Sequence, residues 1–126
     1  MFNSIFKRVP RNKRQNTPWI PLKSLEDLET IKEQSKSETL LIFKHSTRCG
    51  ISRMVKQRFE GLFGEAISNM KVYYLDVLNY RDISNAVGRI FEIEHQSPQL
   101  LIIKNEVAIL SLSHHDIITT PIKKYI

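Results

Sequence analysis

The sequence predicts an α/β fold in which a central mixed β-sheet is flanked by helices. Short apolar runs rich in β-branched and aromatic residues alternate with segments whose apolar residues recur at helical spacing. Near the C-terminus, two further strand-like runs are separated by only two residues, a length that suits an antiparallel hairpin. The chain of 126 residues is long enough for one domain with one core.

The first predicted elements are a short strand, a helix and a buried strand. Trp19 and Ile20 begin an edge strand, because neighbouring prolines are tolerated there. Residues 25–36 are expected to form a helix, since Ser24 provides a capping-box-like start and apolar residues follow at helical spacing. Residues 39–44 (TLLIFK) show no polar alternation, which is typical of a central strand buried on both faces.

The longest helical pattern follows this central strand. Apolar residues recur three and four positions apart from Ile51 to Met70, which predicts one helix of five turns. Gly61 and Gly64 lie off the apolar stripe, so we expect them to weaken the helix locally without ending it.

A second strand and helix, a hairpin and a last helix complete the predicted domain. Residues 71–77 (KVYYLDV) read as a strand, and apolar spacing predicts a helix over residues 83–91. Residues 99–104 and 107–112 form the hairpin, and Thr120-Pro121 starts a short terminal helix. Crossovers are right-handed, so the first two buried strands should be parallel. This order of elements is that of the thioredoxin fold.

The net charge of +6 is confined to the N-terminal part of the chain. Residues 1–23 carry six basic side chains and no acid, whereas the remaining residues balance 13 basic against 13 acidic groups. We therefore expect a basic, mobile tail over residues 1–17 and a thioredoxin-like domain over residues 18–126. A neutral folded body argues against a nucleic-acid partner, since such proteins carry their basic surface on the fold.

Other composition features exclude further classes. No apolar run approaches the roughly 20 residues of a membrane span, so no membrane partner is expected. The N-terminus lacks a secretory signal pattern, and the single cysteine, Cys49, cannot form an intramolecular disulfide. The cytoplasm is therefore the predicted compartment.

Cys49 is the candidate catalytic residue. It lies between the carboxyl end of the central strand and the first turn of the long helix, where open α/β sheets bind ligands. The positive end of the helix dipole and the neighbouring Arg48 favour a thiolate at this position. A lone cysteine is often buried and inert. Here, however, Cys49 precedes the apolar stripe and stands among polar residues and Gly50, which favours a reactive thiol.

The residues around Cys49 are candidate substrate-binding groups. The hydroxyls of Thr47 and Ser52, with the backbone N–H groups of Ile51 and Ser52, can donate hydrogen bonds to the sulfur. Arg48 and Arg53 can hold the carboxylates of a low-molecular-weight thiol. Ser52 stands where a dithiol enzyme carries its second cysteine, so release of the attacking thiol must use an external thiol.

Two further positions have open or conditional roles. His45 either raises the thiolate content of Cys49 or shuttles a proton, as in a Cys–His pair, or it is a loop residue that faces water. Ser97-Pro98 directly precedes a strand, where a cis bond would leave backbone groups free to pair with an extended substrate. The histidines and Cys49 lack the spacing of metal ligands, so we predict neither a metal nor a bound cofactor.

Three segments resemble the monothiol bacilliredoxin (YtxJ-like) family of the bacillithiol system: FKHSTRCGIS at 43–52, HQSPQ at 95–99 and SHHDI at 113–117. The resemblance covers roughly residues 18–120. It implies a thioredoxin-like fold, a Cys49 that exchanges with bacillithiol mixed disulfides, and a cis-proline site at Ser97-Pro98. Bacillithiol would be the co-substrate and S-thiolated proteins the clients. Gly50 departs from the family pattern, which commonly has proline after the cysteine.

The predicted function is a monothiol thiol–disulfide oxidoreductase that removes bacillithiol from protein mixed disulfides. The residues alone also fit two alternatives. One is a glutaredoxin-like or arsenate-reductase-like enzyme that uses another thiol. The other is a non-catalytic thioredoxin-fold module that senses redox state or binds a partner, in which Cys49 is modified without turnover.

Overall fold

The structure is a computed structural model that describes residues 19–63, 67 and 69–126, so the predicted tail of residues 1–17 lies outside the described residues. The elements in chain order are β1 (Trp19–Pro21), α1 (Leu25–Gln34), β2 (Leu40–His45), α2 (Gly50–Glu60), β3 (Lys71–Asp76), α3 (Arg81–Phe91), β4 (Gln99–Lys104), β5 (Val107–Ser113), α4 (Asp116–Thr119) and a 3₁₀ helix (Ile122–Tyr125).

The five strands form one mixed sheet in the order β1-β3-β2-β4-β5, as the α/β prediction requires. β1 and β2 both pair with β3 in parallel, whereas β4 is antiparallel to β2 and to β5. β2 is the central strand, and all six of its residues are buried. In the described part of the chain, no helix is long and apolar enough to cross a membrane.

Helices cover both faces of the sheet, and the sheet divides the core into two layers. On one face, α1 and α3 pack on the even-numbered residues of β2, including Leu40 and Ile42. On the other face, α2 and the C-terminal helices pack on Leu41 and Phe43. The two clusters follow from the alternation of side chains along a strand.

An aromatic cluster fixes α2 on its face of the sheet. The rings of Phe43 and Phe59 stack with centroids 5.1 Å apart. Trp19 meets Phe63 edge to face at 5.2 Å. Phe43 and Phe59 are fully buried, so the cluster links β2 to the second half of α2 through apolar contact.

The prediction of one helix from residue 51 to residue 70 is wrong. α2 ends at Glu60, and Gly61 caps it through an N–H bond to the Arg58 carbonyl at 3.1 Å. A Cβ at Gly61 would lie only 3.2 Å from that carbonyl oxygen, so this tight end favours glycine. Phe63 and Ile67 are nevertheless buried in the same core cluster. Their apolar spacing therefore reflects burial in the core and does not show that the helix continues.

The hairpin prediction is confirmed, although its turn lacks the usual Asn-Gly pair. Asn105 and Glu106 both have positive φ, at 53° and 70°, as a type I′ turn requires. Ser35 at the end of α1 stabilises this turn from outside. Its carbonyl accepts from the Asn105 N–H and its hydroxyl accepts from the Glu106 N–H, each at 2.8 Å.

Smaller differences concern the ends of elements. α1 ends at Gln34 and not at residue 36. The Ser35 N–H caps the last turn of the helix, while the Ser35 hydroxyl bonds to the hairpin. The predicted terminal helix from Thr120 is a 3₁₀ helix that begins at Ile122. A separate single turn, α4, precedes it after His114 and His115.

We expect Phe59→Ala to lower the free energy of unfolding by about 3–5 kcal/mol, because it removes a fully buried ring and leaves a cavity under α2. Leu25→Ala is the matched control, since Leu25 is 57% exposed and its loss should cost less than about 0.5 kcal/mol. Urea unfolding followed by circular dichroism measures both. Equal effects in the two variants would contradict the assigned packing.

Candidate active site

Cys49 is the N-cap residue of α2, as its place between strand and helix predicts. Its backbone is extended, with φ −103° and ψ 122°, and its side chain is half-buried. The Cys49 N–H donates to the Ser46 carbonyl at 3.2 Å, and the Cys49 carbonyl accepts from the Arg53 N–H at 3.1 Å. The thiol is thus held at the end of the helix that carries its free N–H groups.

Ser52 connects the first turn of α2 to the end of β2. It is fully buried, and its Oγ accepts from the Ser46 N–H at 3.1 Å. The same oxygen lies 2.8 Å from Nδ1 of His45. The hydroxyl that we expected to serve the sulfur therefore has two partners on the strand side of the turn.

His45 is the last residue of β2 and is only 4% exposed, so the alternative of a loop residue that faces water is wrong. Its ring lies 5.8 Å from that of Tyr74. Burial lowers the pKa of His45 and nearby Lys56 lowers it further, while Asp76 opposes the shift. His45 is therefore neutral at neutral pH and able to share a proton with the Ser52 hydroxyl.

Basic groups border the thiol on the side of α2. Arg48 and Arg53 are exposed, and Nη1 of Arg53 donates to the Thr47 carbonyl at 3.2 Å. A Cβ at Gly50 would lie 3.8 Å from Nη2 of Arg53, so the guanidinium folds back over the first turn of the helix.

A small open pocket adjoins this guanidinium. Its volume is about 200 Å³, and it is lined by His45, Arg53, Lys56 and Gln57. Lys56 is held in place by Glu60 at 2.7 Å and lies 5.3 Å from the centre of the Trp19 ring. The pocket therefore presents two cationic side chains beside the turn that carries Cys49.

The peptide bond between Ser97 and Pro98 is cis, which confirms that prediction. Gln99 pairs with Lys44 across β2 and β4, so Ser97 and Pro98 lie at the carboxyl edge of β2, where the chain continues toward Cys49. The Ser97 hydroxyl oxygen is buried and has no hydrogen-bond partner within the described residues. Pro98 is buried as well.

Sequence reasoning missed several residues that shape this site. Ser46 and Lys56 were not among the candidates, and neither was Gln99, which is 1% exposed. Lys44 is fully buried, although the sequence pattern indicates only the end of a strand there. A lysine at the end of a strand buried on both faces was the one available signal, since lysine is almost never fully buried without a partner.

Comparisons with solved structures place the fold among thioredoxins. A protein assigned as an oxidoreductase with a thioredoxin fold shares 28% identity, with a TM-score of 0.72 over 82% of this chain and 89% of that chain. Schistosoma mansoni thioredoxin shares 24% identity, with a TM-score of 0.66 over 87% of this chain and 97% of that chain. Trypanosoma brucei brucei thioredoxin shares 17% identity, with a TM-score of 0.69 over 89% and 93%.

A thioredoxin fold with a half-buried cysteine at the N-terminus of α2 and a cis-proline at the adjoining edge defines a thiol oxidoreductase. The model of the family described as monothiol bacilliredoxin BrxC matches residues 20–122. The chain belongs to the monothiol bacilliredoxin family.

We expect Ser52→Ala to lower the free energy of unfolding by about 1–3 kcal/mol, because it leaves the buried His45 Nδ1 and the half-buried Ser46 N–H without their shared partner. Ser37→Ala is the matched control, since Ser37 is exposed and its hydroxyl bonds only to the Gln34 carbonyl. Chemical denaturation measures both. A Ser52→Ala protein as stable as the control would contradict the assigned role.

His45 should make the fold less stable in mild acid. The unfolded chain, with a histidine pKa of about 6.5, takes up a proton before the buried His45 does. The stabilising contribution of neutral His45 is therefore complete above about pH 7. It is lost as the pH falls through the lowered pKa that His45 has in the folded protein. His95, whose pKa burial also lowers, acts in the same direction.

His45→Asn tests this dependence, because its amide oxygen can still accept from Ser52. We expect the free energy of unfolding to fall less between pH 7.5 and pH 5 than in the wild type. His115→Gln, at an exposed residue, is the control. The assignment fails if His45→Asn keeps the full wild-type slope.

Proposed function

We propose that this protein removes bacillithiol from S-thiolated proteins by thiol–disulfide exchange at Cys49. The observation that carries the proposal is a single half-buried thiol at the N-terminus of α2 whose neighbour at position 52 is a buried hydroxyl. Membership of the monothiol bacilliredoxin family supports the choice of bacillithiol.

The proposed cycle has two exchange steps. The Cys49 thiolate attacks the bacillithiol sulfur of a protein mixed disulfide, so that a Cys49–bacillithiol disulfide forms and the client leaves as a thiolate that takes up a proton. Cys49 is the only cysteine of the chain, so no internal thiol can break this intermediate. A second bacillithiol therefore attacks it, which releases the bacillithiol disulfide and restores the Cys49 thiolate.

The cationic pocket supports an anionic thiol as co-substrate. Arg53 is anchored at Thr47 and Lys56 at Glu60, so both positive groups are ordered before a ligand binds. Carboxylates of a low-molecular-weight thiol would lie there while its sulfur bonds to Cys49, with exposed Arg48 as a further cation. No bound cofactor is needed, and the reducing cytoplasm is the proposed compartment.

Two other functions fit parts of the site. The same pocket would accept the carboxylates of glutathione, which corresponds to a glutaredoxin-like or arsenate-reductase-like enzyme. A half-buried thiol without an internal resolving group could also retain a small thiol, which corresponds to a sensor. These functions differ in which free thiol, if any, discharges Cys49.

Intact-mass spectrometry tests the cycle directly. Reduced protein is mixed with a bacillithiolated client and quenched with acid. We expect the client to lose the mass of bacillithiol while Cys49 gains it, and excess bacillithiol to remove the adduct. Cys49→Ala should give no transfer, whereas Ser52→Ala should retain most of it, because its hydroxyl is bonded to His45 and Ser46.

The parallel reaction uses glutathione as the discharging thiol. Discharge by glutathione and not by bacillithiol would preserve the chemistry and overturn the choice of thiol. An adduct that neither thiol removes would identify a sensor. Transfer that persists in Cys49→Ala would contradict the assignment of the catalytic residue.

A further inference from the structure

Lys44 is a buried cation that the proposed cycle does not use. Its side chain is 0% exposed, and no carboxylate of the described residues lies within ion-pair distance of it. Its one hydrogen bond within those residues joins Nζ to Nδ1 of His95 at 3.1 Å. The Ser84 hydroxyl of α3 lies 3.4 Å from the same ring nitrogen.

The proton positions in this contact follow from the chemistry of the two groups. Burial lowers the pKa of Lys44 to about 8, so the amine is mostly protonated at neutral pH and can only donate. Burial lowers the pKa of His95 as well, and the charges of Lys44 and Arg81 lower it further. His95 is therefore neutral and accepts at Nδ1.

Gln99, itself buried, makes a second set of contacts, two of them to the backbone of the residues on either side of His95. Its Nε2 donates to the Glu94 carbonyl and to the Ser111 hydroxyl, each at 3.0 Å. Its Oε1 accepts from the Gln96 N–H at 3.3 Å. Gln99 and Lys44 lie directly opposite each other on β4 and β2, so their side chains share one face of the sheet.

We propose that Lys44 and Gln99 are positioning residues that hold the segment of residues 94–97 so that the Ser97–Pro98 edge can dock an extended client polypeptide. Lys44 fastens the middle of the segment through the His95 side chain, and Gln99 fastens the backbone on either side of it. The inference rests on the proposed function, because it assigns the docking of the protein substrate and not the chemistry of the thiol.

Burial of Lys44 without a counter-ion costs free energy of folding, and this distinguishes a positioning role from a role in stabilising the fold. A buried cation without a counter-ion loses hydration, and replacing a buried charge by an apolar side chain of similar volume is often neutral or stabilising. Lys44→Met should therefore leave the fold as stable as the wild type or more so. The same change removes the bond to His95 and frees the segment that leads to Ser97.

The test compares kinetics on two substrates that differ only in the need for docking. With a bacillithiolated protein client, we expect Lys44→Met and Gln99→Ala to raise KM about tenfold and to leave kcat unchanged. With the mixed disulfide of bacillithiol and 2-mercaptoethanol, which turns over to 2-mercaptoethanol and bacillithiol disulfide but offers no polypeptide to dock, both variants should match the wild type. The alkylation rate of Cys49 by iodoacetamide should also be unchanged.

Two control variants remove similar groups elsewhere in the sheet region. Ser35→Ala deletes a buried polar contact at the opposite end of the sheet and should lower stability without raising KM. Lys104→Met removes an exposed cation from the far end of β4 and should change neither quantity. Nitrogen-15 NMR of wild-type His95 should show an unprotonated Nδ1, with a shift that changes in Lys44→Met.

The outcomes separate the two proposals. An unchanged KM in a folded Lys44→Met protein overturns the positioning role, as does an equal loss on both substrates. A wild type that transfers bacillithiol from no client overturns the proposed function instead. The rate at which Cys49 forms a first mixed disulfide with a thiolated peptide, compared with its rate on the small disulfide, then still tests docking in the variants.

Discussion

The bonds of the Ser52 hydroxyl to Ser46 and His45 join the first turn of α2 to the end of β2 and stabilise the turn that lies between them. The thiol lies on the few residues between the two joined points. Because the hydroxyl and the His45 ring are both buried, their hydrogen bond is shielded from water. The aromatic stack of Phe43 and Phe59 holds the last turn of the same helix, so α2 is fixed on the sheet near both of its ends.

Two consecutive residues of β2 organise the two halves of the site. His45 and Lys44 point to opposite faces of the sheet because side chains alternate along a strand. His45 reaches Ser52 and so bears on the turn that carries the thiol, whereas Lys44 reaches His95 in the segment that leads to Ser97 and Pro98. Both contacts lie at the carboxyl edge of one central strand, so the turn that carries the thiol and the Ser97–Pro98 edge are positioned from the same strand.

The sequence was sufficient for the fold and for the place of the thiol because both follow from local patterns. The apolar run from Leu40 to Phe43 indicated a central strand, and the polar segment before the next apolar stripe indicated a helix start at Cys49. The end of α2 was missed because Phe63 and Ile67 kept the apolar spacing beyond the helix. The partners of Ser52 and Lys44 were missed because they depend on which side chains tertiary packing brings together.

The orientation of Ser52 fits a site in which an external thiol, and not a residue of the protein, discharges Cys49. In a dithiol enzyme the group at this position attacks the intermediate, but here it is a hydroxyl whose two hydrogen bonds lie on the strand side of the turn. Under the proposed cycle, the thiol that breaks the Cys49 mixed disulfide must come from solvent. The protein therefore needs side chains that bind this small thiol. Arg53 and Lys56 are ordered by Thr47 and Glu60 before any thiol arrives. Under the proposed cycle, this order would lower the entropic cost of binding a small anionic thiol beside Cys49.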